Sequence, residues 1–348
     1  MSTVILSHTL ANGMVLVGEP TQSVESAAFT FLLPAGCCRD PQGRAGLASL
    51  TSEMMLRGAG PRDSRAWISD LENLGVERGE SVGVAQATFH GATLRDNLPA
   101  GLSLFADMLL RPNLPAEQLD AGRSACLQEL RSIDDEPSHK LMIELRRRQY
   151  PDPWGRSSLG EDANLRATNI EDVRRFHDEN YRPGSTILAL AGNFDWKRMC
   201  DHVEQLFGDW QPKDTGEPTG FNGRPAGNHI SFDSSQSHVG IAYPSVPYKH
   251  PDYFQAWAAV GILSSGSSSR LFTEVRERRG LCYTVYASLH TQRDRASVLC
   301  YAGTTAQRAQ ETLDVTVVEL LRLGKGIEQS ELNRLKARIK SALIMQQE

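Results

Sequence analysis

Nine histidines, six cysteines and 42 acidic side chains are the groups in this chain that could hold a metal or move a proton. The histidines stand at 8, 90, 139, 177, 202, 229, 238, 250 and 290. No two are three to five residues apart, so no pair of imidazoles shares one helix face as a local zinc motif requires. The cysteines at 37, 38, 126, 200, 282 and 300 form no C-x-x-C, and the pair Cys37-Cys38 is expected to be two ordinary thiols near a strand end. No G-x-x-x-x-G-K or G-x-G-x-x-G occurs, which removes the phosphate-cradling loop and the dinucleotide fingerprint. Arg146-Arg147-Arg148 beside Glu144 is a short basic run, expected on a solvated helix face. Any site must therefore be assembled from distant parts of the chain.

The elements that could assemble one alternate between strand and helix. Met14–Val17 follows the turn signal Asn12-Gly13, and Ala27–Leu33 is an apolar run ending at Pro34-Ala35-Gly36. A helix is expected over Gly46–Arg57. A second starts at Ser64 as N-cap, places Trp67, Ile68, Leu71 and Leu74 on one face and stops at Gly75. Val82–Leu94 is expected as strand, Asn97–Leu110 as helix, and a further helix begins near Pro115. Thr168–Glu171 has the pattern of a capping box opening a helix that ends near Tyr181, before the buried strand Ile187–Ala191.

At about 150 residues per domain, 348 residues imply two or three domains. Gln211–Gly227, rich in proline and glycine, has no period and is expected to link them. Beyond it the pattern returns: Leu109-Leu110-Arg111 with Glu117-Gln118 matches Leu320-Leu321-Arg322 with Glu328-Gln329, both at an offset of 211. Two homologous α+β domains follow, 1–210 and 228–348, each an antiparallel or mixed sheet with helices packed on one face. Only 20 residues follow Glu328, whereas 94 separate Glu117 from Gln211, so the second domain is expected to be truncated. Apolar residues at 40% and a net charge of −5 exclude disorder and a nonspecific nucleic-acid surface. With no apolar run of ~18 residues and scattered cysteines, no membrane span is expected and the location is expected to be cytoplasmic.

Several stretches, in order and spacing, resemble the pitrilysin/insulinase-type zinc peptidases, with the mitochondrial processing peptidases and their bacterial relatives nearest in shape. They are Asn12-Gly13 with its strand, LLPAGCCRD, GRAGLASLTSEMMLRGAG, LGEDANLRATNIEDVRRFHDENYRPGSTILALAGNFD and SSGSSSRLFTEVRERRGLCYTVYAS. The resemblance implies that each domain is half a clamshell. It also places the inverted zinc motif H-x-x-E-H on the first helix. There Ser49 and Glu53 occupy the two histidine positions, Ser52 occupies that of the catalytic glutamate, and Glu129 in CLQEL fits the third ligand. Zinc prefers imidazole and needs about three protein ligands plus a water, so no metal is expected in this chain.

The resemblance also implies that Arg276 and Tyr283, seven residues apart in VRERRGLCY, bind substrate and stabilise the oxyanion. Ser264–Arg270 corresponds to a loop near the substrate chamber. The implied function is the non-catalytic subunit of a heterodimeric zinc endopeptidase, with zinc on a homologous partner subunit and peptide as substrate. The alternatives are a scaffold of the same fold, like respiratory core subunits, and an independent metallopeptidase with an altered site.

Overall fold

Alternation of large apolar and small or polar residues builds the first sheet. In the computed structural model, which describes residues 5–214, 216–221, 223 and 229–345, the chain divides into two compact units. Unit 1 is Met1–Ser132 with Asp152–Gly223, and unit 2 is Ile133–Pro151 with Arg224–Glu348. Unit 1 begins with β1 (Leu6–Thr9), β2 (Val15–Pro20) and β3 (Ser26–Leu33), then α1 (Leu47–Met55), β4 (Gly58–Ala59), β5 (Arg62–Asp63) and α2 (Ser64–Asn73). It continues with β6 (Glu77–Val82), β7 (Ala87–Leu94), α3 (Leu98–Leu110) and α4 (Leu119–Ser132). After α5 (Pro137–Gln149), which belongs to unit 2, come α6 (Asp162–Ala167), α7 (Ile170–Asn180), β8 (Ile187–Gly192) and α8 (Trp196–Phe207).

The main sheet has the order β1-β2-β8-β3-β7-β6, antiparallel except for the β2–β8 pair. Ala27, Phe29, Phe31 and Leu33 turn one face of β3 into the core. Phe29 meets Phe105 of α3 edge-on at 4.7 Å, and Phe31 meets Phe207 of α8 at 5.6 Å. Gly91, opposite Phe29 in register, leaves room for that ring; a Cβ there would lie 2.5 Å from it.

Four expectations shift in detail. Val82–Leu94 is not one strand but the end of β6, a turn and β7, because Gly83 donates back to Gln86 and closes a hairpin. Asp63, not Ser64, caps α2: its carboxylate accepts from Ala66 N at 2.8 Å. The helix near Pro115 opens with a 3₁₀ turn, and regular helix starts at Leu119. The capping box of α7 lies one residue later than expected, with Asn169 and Asp172 exchanging bonds of 3.0 and 3.1 Å. Thr168 instead ends α6, its hydroxyl donating to Asn164 O.

Unit 2 contains α5, β9 (Gln236–Ser245), α9 (Tyr253–Ser264), β10 (Cys282–Thr291), β11 (Ala296–Thr305), α10 (Ala309–Leu323) and α11 (Gln329–Met345). Its sheet is antiparallel with the order β10-β11-β9. Val285, Ala287, Val298, Cys300 and Ala302 form the core with Val260, Leu263, Leu271 and Val275. α5 packs on β9 and β11: Gln149 donates to Ser297 Oγ at 2.9 Å, and Leu141 lies against Gly240. Residues 133–151, expected with the first half, thus group with the second sheet. Of the expected linker, residues 215, 222 and 224–227 lie outside the described residues. Its first part has no regular element and is tied to unit 1, with Arg156 donating to Thr219 O at 3.2 Å and Arg39 donating to Gly216 O at 3.2 Å.

Candidate functional site

Helix α1 starts in an unusual way. Gly46, its N-cap, has a left-handed φ of +97° and no side chain to cap with. Asp40 does the capping from outside the helix: its buried carboxylate accepts from Gly46 N at 2.7 Å and Ala48 N at 2.8 Å. Burial pushes its pKa up to about 7, against the opposing effect of those two N–H bonds and of Arg156. Arg156 braces the same loop, donating to Asp40 O at 2.7 Å while forming a fork with Asp152.

The three α1 positions singled out by resemblance are each differently engaged. The Ser49 hydroxyl donates to Ser158 O at 2.7 Å. Ser52 is buried and its Oγ has no partner, as with neighbouring Thr51. Glu53 accepts from Arg57 Nη2 at 2.6 Å, and Arg57 Nη1 reaches Gln118 Oε1 at 3.3 Å. Glu129 lies on α4 and is exposed. One turn earlier Cys126 is buried, and its thiol is pushed up to about 12 by burial and then by the charges of Glu53 and Glu129. The charges of Glu53 and Glu129 thus reach the same thiol, where α1 packs against α4. Gly122 permits that packing; a Cβ would stand 2.7 Å from Met54 Sδ.

This donor set does not fit a catalytic zinc. It contains no imidazole, its one α1 carboxylate is bound to a guanidinium, and the Ser49 oxygen is directed to a carbonyl. Among the described residues no group of three or more His, Cys, Asp or Glu is arranged to hold a metal ion.

In unit 2, Arg276 lies on a π-helical turn, Phe272–Glu277, in which Arg278 N reaches back five residues to Thr273 O at 2.9 Å. Glu274 fixes this turn: its nearly buried carboxylate takes Arg278 Nη1 at 2.5 Å and Arg279 Nη1 at 2.8 Å. The bond to Arg279, foremost, holds the Glu274 carboxyl below its usual range. Arg276 is left out of that clamp. It stacks over Phe272 at 4.6 Å, and its nearest carboxylate is Glu277 at 3.9 Å. The chain then turns at Gly280, whose N–H returns to Arg276 O at 3.0 Å, and enters β10.

Tyr283 sits where the β10–β11 register shifts between Cys282 and Thr284, so it has no cross-strand partner. It is 81% exposed, on the edge strand of its sheet. The charge of Arg276 acts on the neighbouring Cys282 thiol, partly offsetting the upward push of burial. The π-turn and the bulge therefore present a guanidinium and a phenol that no carboxylate or carbonyl among the described residues binds tightly. Asp40, Arg57, Cys126 and Glu274 escaped the sequence reading. Only Arg57, four residues after Glu53 on one helix, carried a readable signal.

The other expected features are ordinary. Cys37 and Cys38 are buried, with burial pushing both thiols up, Cys38 to about 11. Arg147 and Arg148 pair with Glu144 on their own helix. Among the described residues no helix is long and apolar enough to cross a membrane.

Comparison with known proteins shows the family and the fold. The family model "Insulinase (Peptidase family M16)" matches residues 15–161, and "Peptidase M16 inactive domain" matches residues 167–339. An uncharacterized zinc protease of Mycobacterium tuberculosis is 27% identical over 350 residues, covering 97% of this chain and 79% of that protein. The uncharacterized zinc protease YmxG of Bacillus subtilis is 24% identical over 349 residues, covering 98% and 84%. A crystal structure of a peptidase M16 inactive domain from Pseudomonas fluorescens superposes with a TM-score of 0.87 at 25% identity, covering 97% of this chain and 83% of that one. The crystal structure of a protease from Helicobacter pylori gives 0.90 at 21% identity, covering 99% and 85%.

Proposed function

Since the chain belongs to peptidase family M16, the insulinase family, we propose that it is the non-catalytic subunit of a heterodimeric zinc endopeptidase. Its role is to bind an extended peptide and to present Arg276 and Tyr283 to a reaction centred on a homologous partner. The observation that carries this reading is the contrast between two sets of residues. Ser49, Ser52 and Glu53 lack the chemistry of a metal site, whereas Arg276 and Tyr283 stand exposed on rigid supports.

The partner subunit would supply zinc, its ligands and the general base. This chain holds no resident cofactor in the proposal. Peptide hydrolysis passes through a tetrahedral intermediate whose former carbonyl oxygen carries negative charge. The Tyr283 hydroxyl donates a hydrogen bond to that oxygen, and the Arg276 guanidinium offsets its charge. Because neither group is tightly bound elsewhere, little reorganisation opposes this. A free edge on β10 offers backbone N–H and C=O groups to an extended peptide. All six cysteines are free, which supports a cytoplasmic location.

The test is reconstitution. This chain alone, a homologue bearing H-x-x-E-H alone, and their mixture are assayed on a fluorogenic peptide library. The mixture is expected to exceed either component by about 100-fold, the scale of one lost oxyanion donor. A mixture no more active than the zinc-bearing homologue alone overturns the proposal and leaves the scaffold reading.

A further inference from the structure

Unit 2 has a pocket that the proposed function does not use, formed in part by the loop 264–270 that the resemblance placed near the substrate chamber. It opens between the loop after α9 and α11, lined in part by Ser265, Ser268, Ser269, Glu331, Arg334 and Arg338. Its volume is about 30 Å³, whereas one water needs roughly 10–15 Å³. That is room for about two waters, or for two oxygens of an oxyanion seated at the pocket mouth.

Its polarity is cationic. Arg334 and Arg338 lie one turn apart on α11, and among the described residues neither is paired with a carboxylate. Arg338 lies directly against Gly266, where a Cβ would come within 1.8 Å of Nη1. The one acidic lining residue, Glu331, is already neutralised. Arg270 grips it through Nε and Nη2, both at 2.7 Å, and Glu328 N adds a bond at 2.8 Å. These bonds, Arg270 first, hold the Glu331 carboxyl down at about 2. Arg270, flanked by the lining residue Ser269, is only 6% exposed, yet its Nη1 has no partner. A buried guanidinium N–H without an acceptor is costly. Two further guanidiniums and three serines line the pocket, and its one carboxylate, Glu331, is already taken by Arg270, so the lining is rich in donors.

We infer that this pocket binds a single phosphate-class oxyanion, held by Arg334 and Arg338 and by the serine loop 265–269. Guanidinium forks suit such an ion better than a point charge does. The ion could be free phosphate or the phosphoryl group of a modified peptide.

Calorimetric titration of the full chain separates these sources, using inorganic phosphate, a phosphoserine peptide and its unphosphorylated twin. Saturable phosphate binding is expected, weakened at least about ten-fold in the double variant Arg334→Met/Arg338→Met. Both side chains are exposed, so circular dichroism should show that variant folded. Arg338→Lys, keeping the charge but losing the fork, should fall between. A phosphopeptide that binds more tightly than phosphate, with a silent twin, identifies the bound phosphoryl group; equal or weaker binding identifies the free ion. No saturable phosphate binding, or binding unchanged in the folded double variant, overturns the inference.

Discussion

Glu53 and Arg57 show how one pair of residues decides the character of a helix face. A carboxylate held at 2.6 Å by a guanidinium is a poor metal ligand, because a cation already neutralises it. Around it α1 packs on α4, which carries Glu129, and Gly122 permits that approach. Grafting the motif by Ser49→His, Ser52→Glu and Glu53→His should therefore build a zinc site together with Glu129. Elemental mass spectrometry should find close to one zinc per chain in the triple variant and far less in the parent; equal contents would show that the α1–α4 frame differs from the family's. The sequence assigns these positions because GLA and the run from Met54 to Gly58 flank them without a gap. Their engagements were not, since Ser158 and Gln118 are 109 and 61 residues away from their partners, and no local pattern reports contacts at that separation.

At the scale of elements, two devices hold the important helices in place. Asp40 caps α1 from a buried position, and its folded pKa of about 7 is above the ordinary value of 3.8. The native state then keeps the Asp40 proton to higher pH than the unfolded chain does. Its contribution to stability is full below the unfolded value and is lost as pH rises through about 7. Asp40→Asn should cost about 1 kcal/mol at low pH through one lost N–H bond. That deficit should shrink or reverse between pH 4 and 7, as denaturant unfolding at several pH values would show; a deficit that grows with pH contradicts the assignment. Glu274 plays the corresponding part for the π-turn. Its two arginine partners are well exposed, so Glu274→Gln should cost only about 1–2 kcal/mol. Hydrogen exchange should show lost protection at the Arg278 and Gly280 amides while β11 stays protected. The expected elements themselves were largely visible, because Phe29, Phe31 and Leu33 alternate and Leu98–Leu110 follows helical spacing. Caps were misplaced by one residue where two capping side chains are adjacent, as with Asp63-Ser64 and Thr168-Asn169. The π-turn left no trace in the sequence, since its hydrogen bonds depend on the Glu274 clamp.

For the molecule as a whole, the sequence offset of 211 pointed to two related parts, but it did not show that residues 133–151 group with the second sheet. A helix such as α5 carries an apolar stripe wherever it docks, and the stripe does not say which sheet it covers. The family assignment rests on matches along nearly the whole chain, whereas the proposed division of labour between two subunits rests on Arg276 and Tyr283. Both are exposed, so Arg276→Ala and Tyr283→Phe should leave unfolding free energies within about 0.5 kcal/mol of the parent. The most direct measurement is the single-turnover rate of peptide hydrolysis by this chain combined with a zinc-bearing homologue, comparing the parent with these two variants. The account predicts that each variant lowers the rate by roughly 100-fold or more with partner binding intact. Hydrolysis at the parental rate in both variants would contradict it.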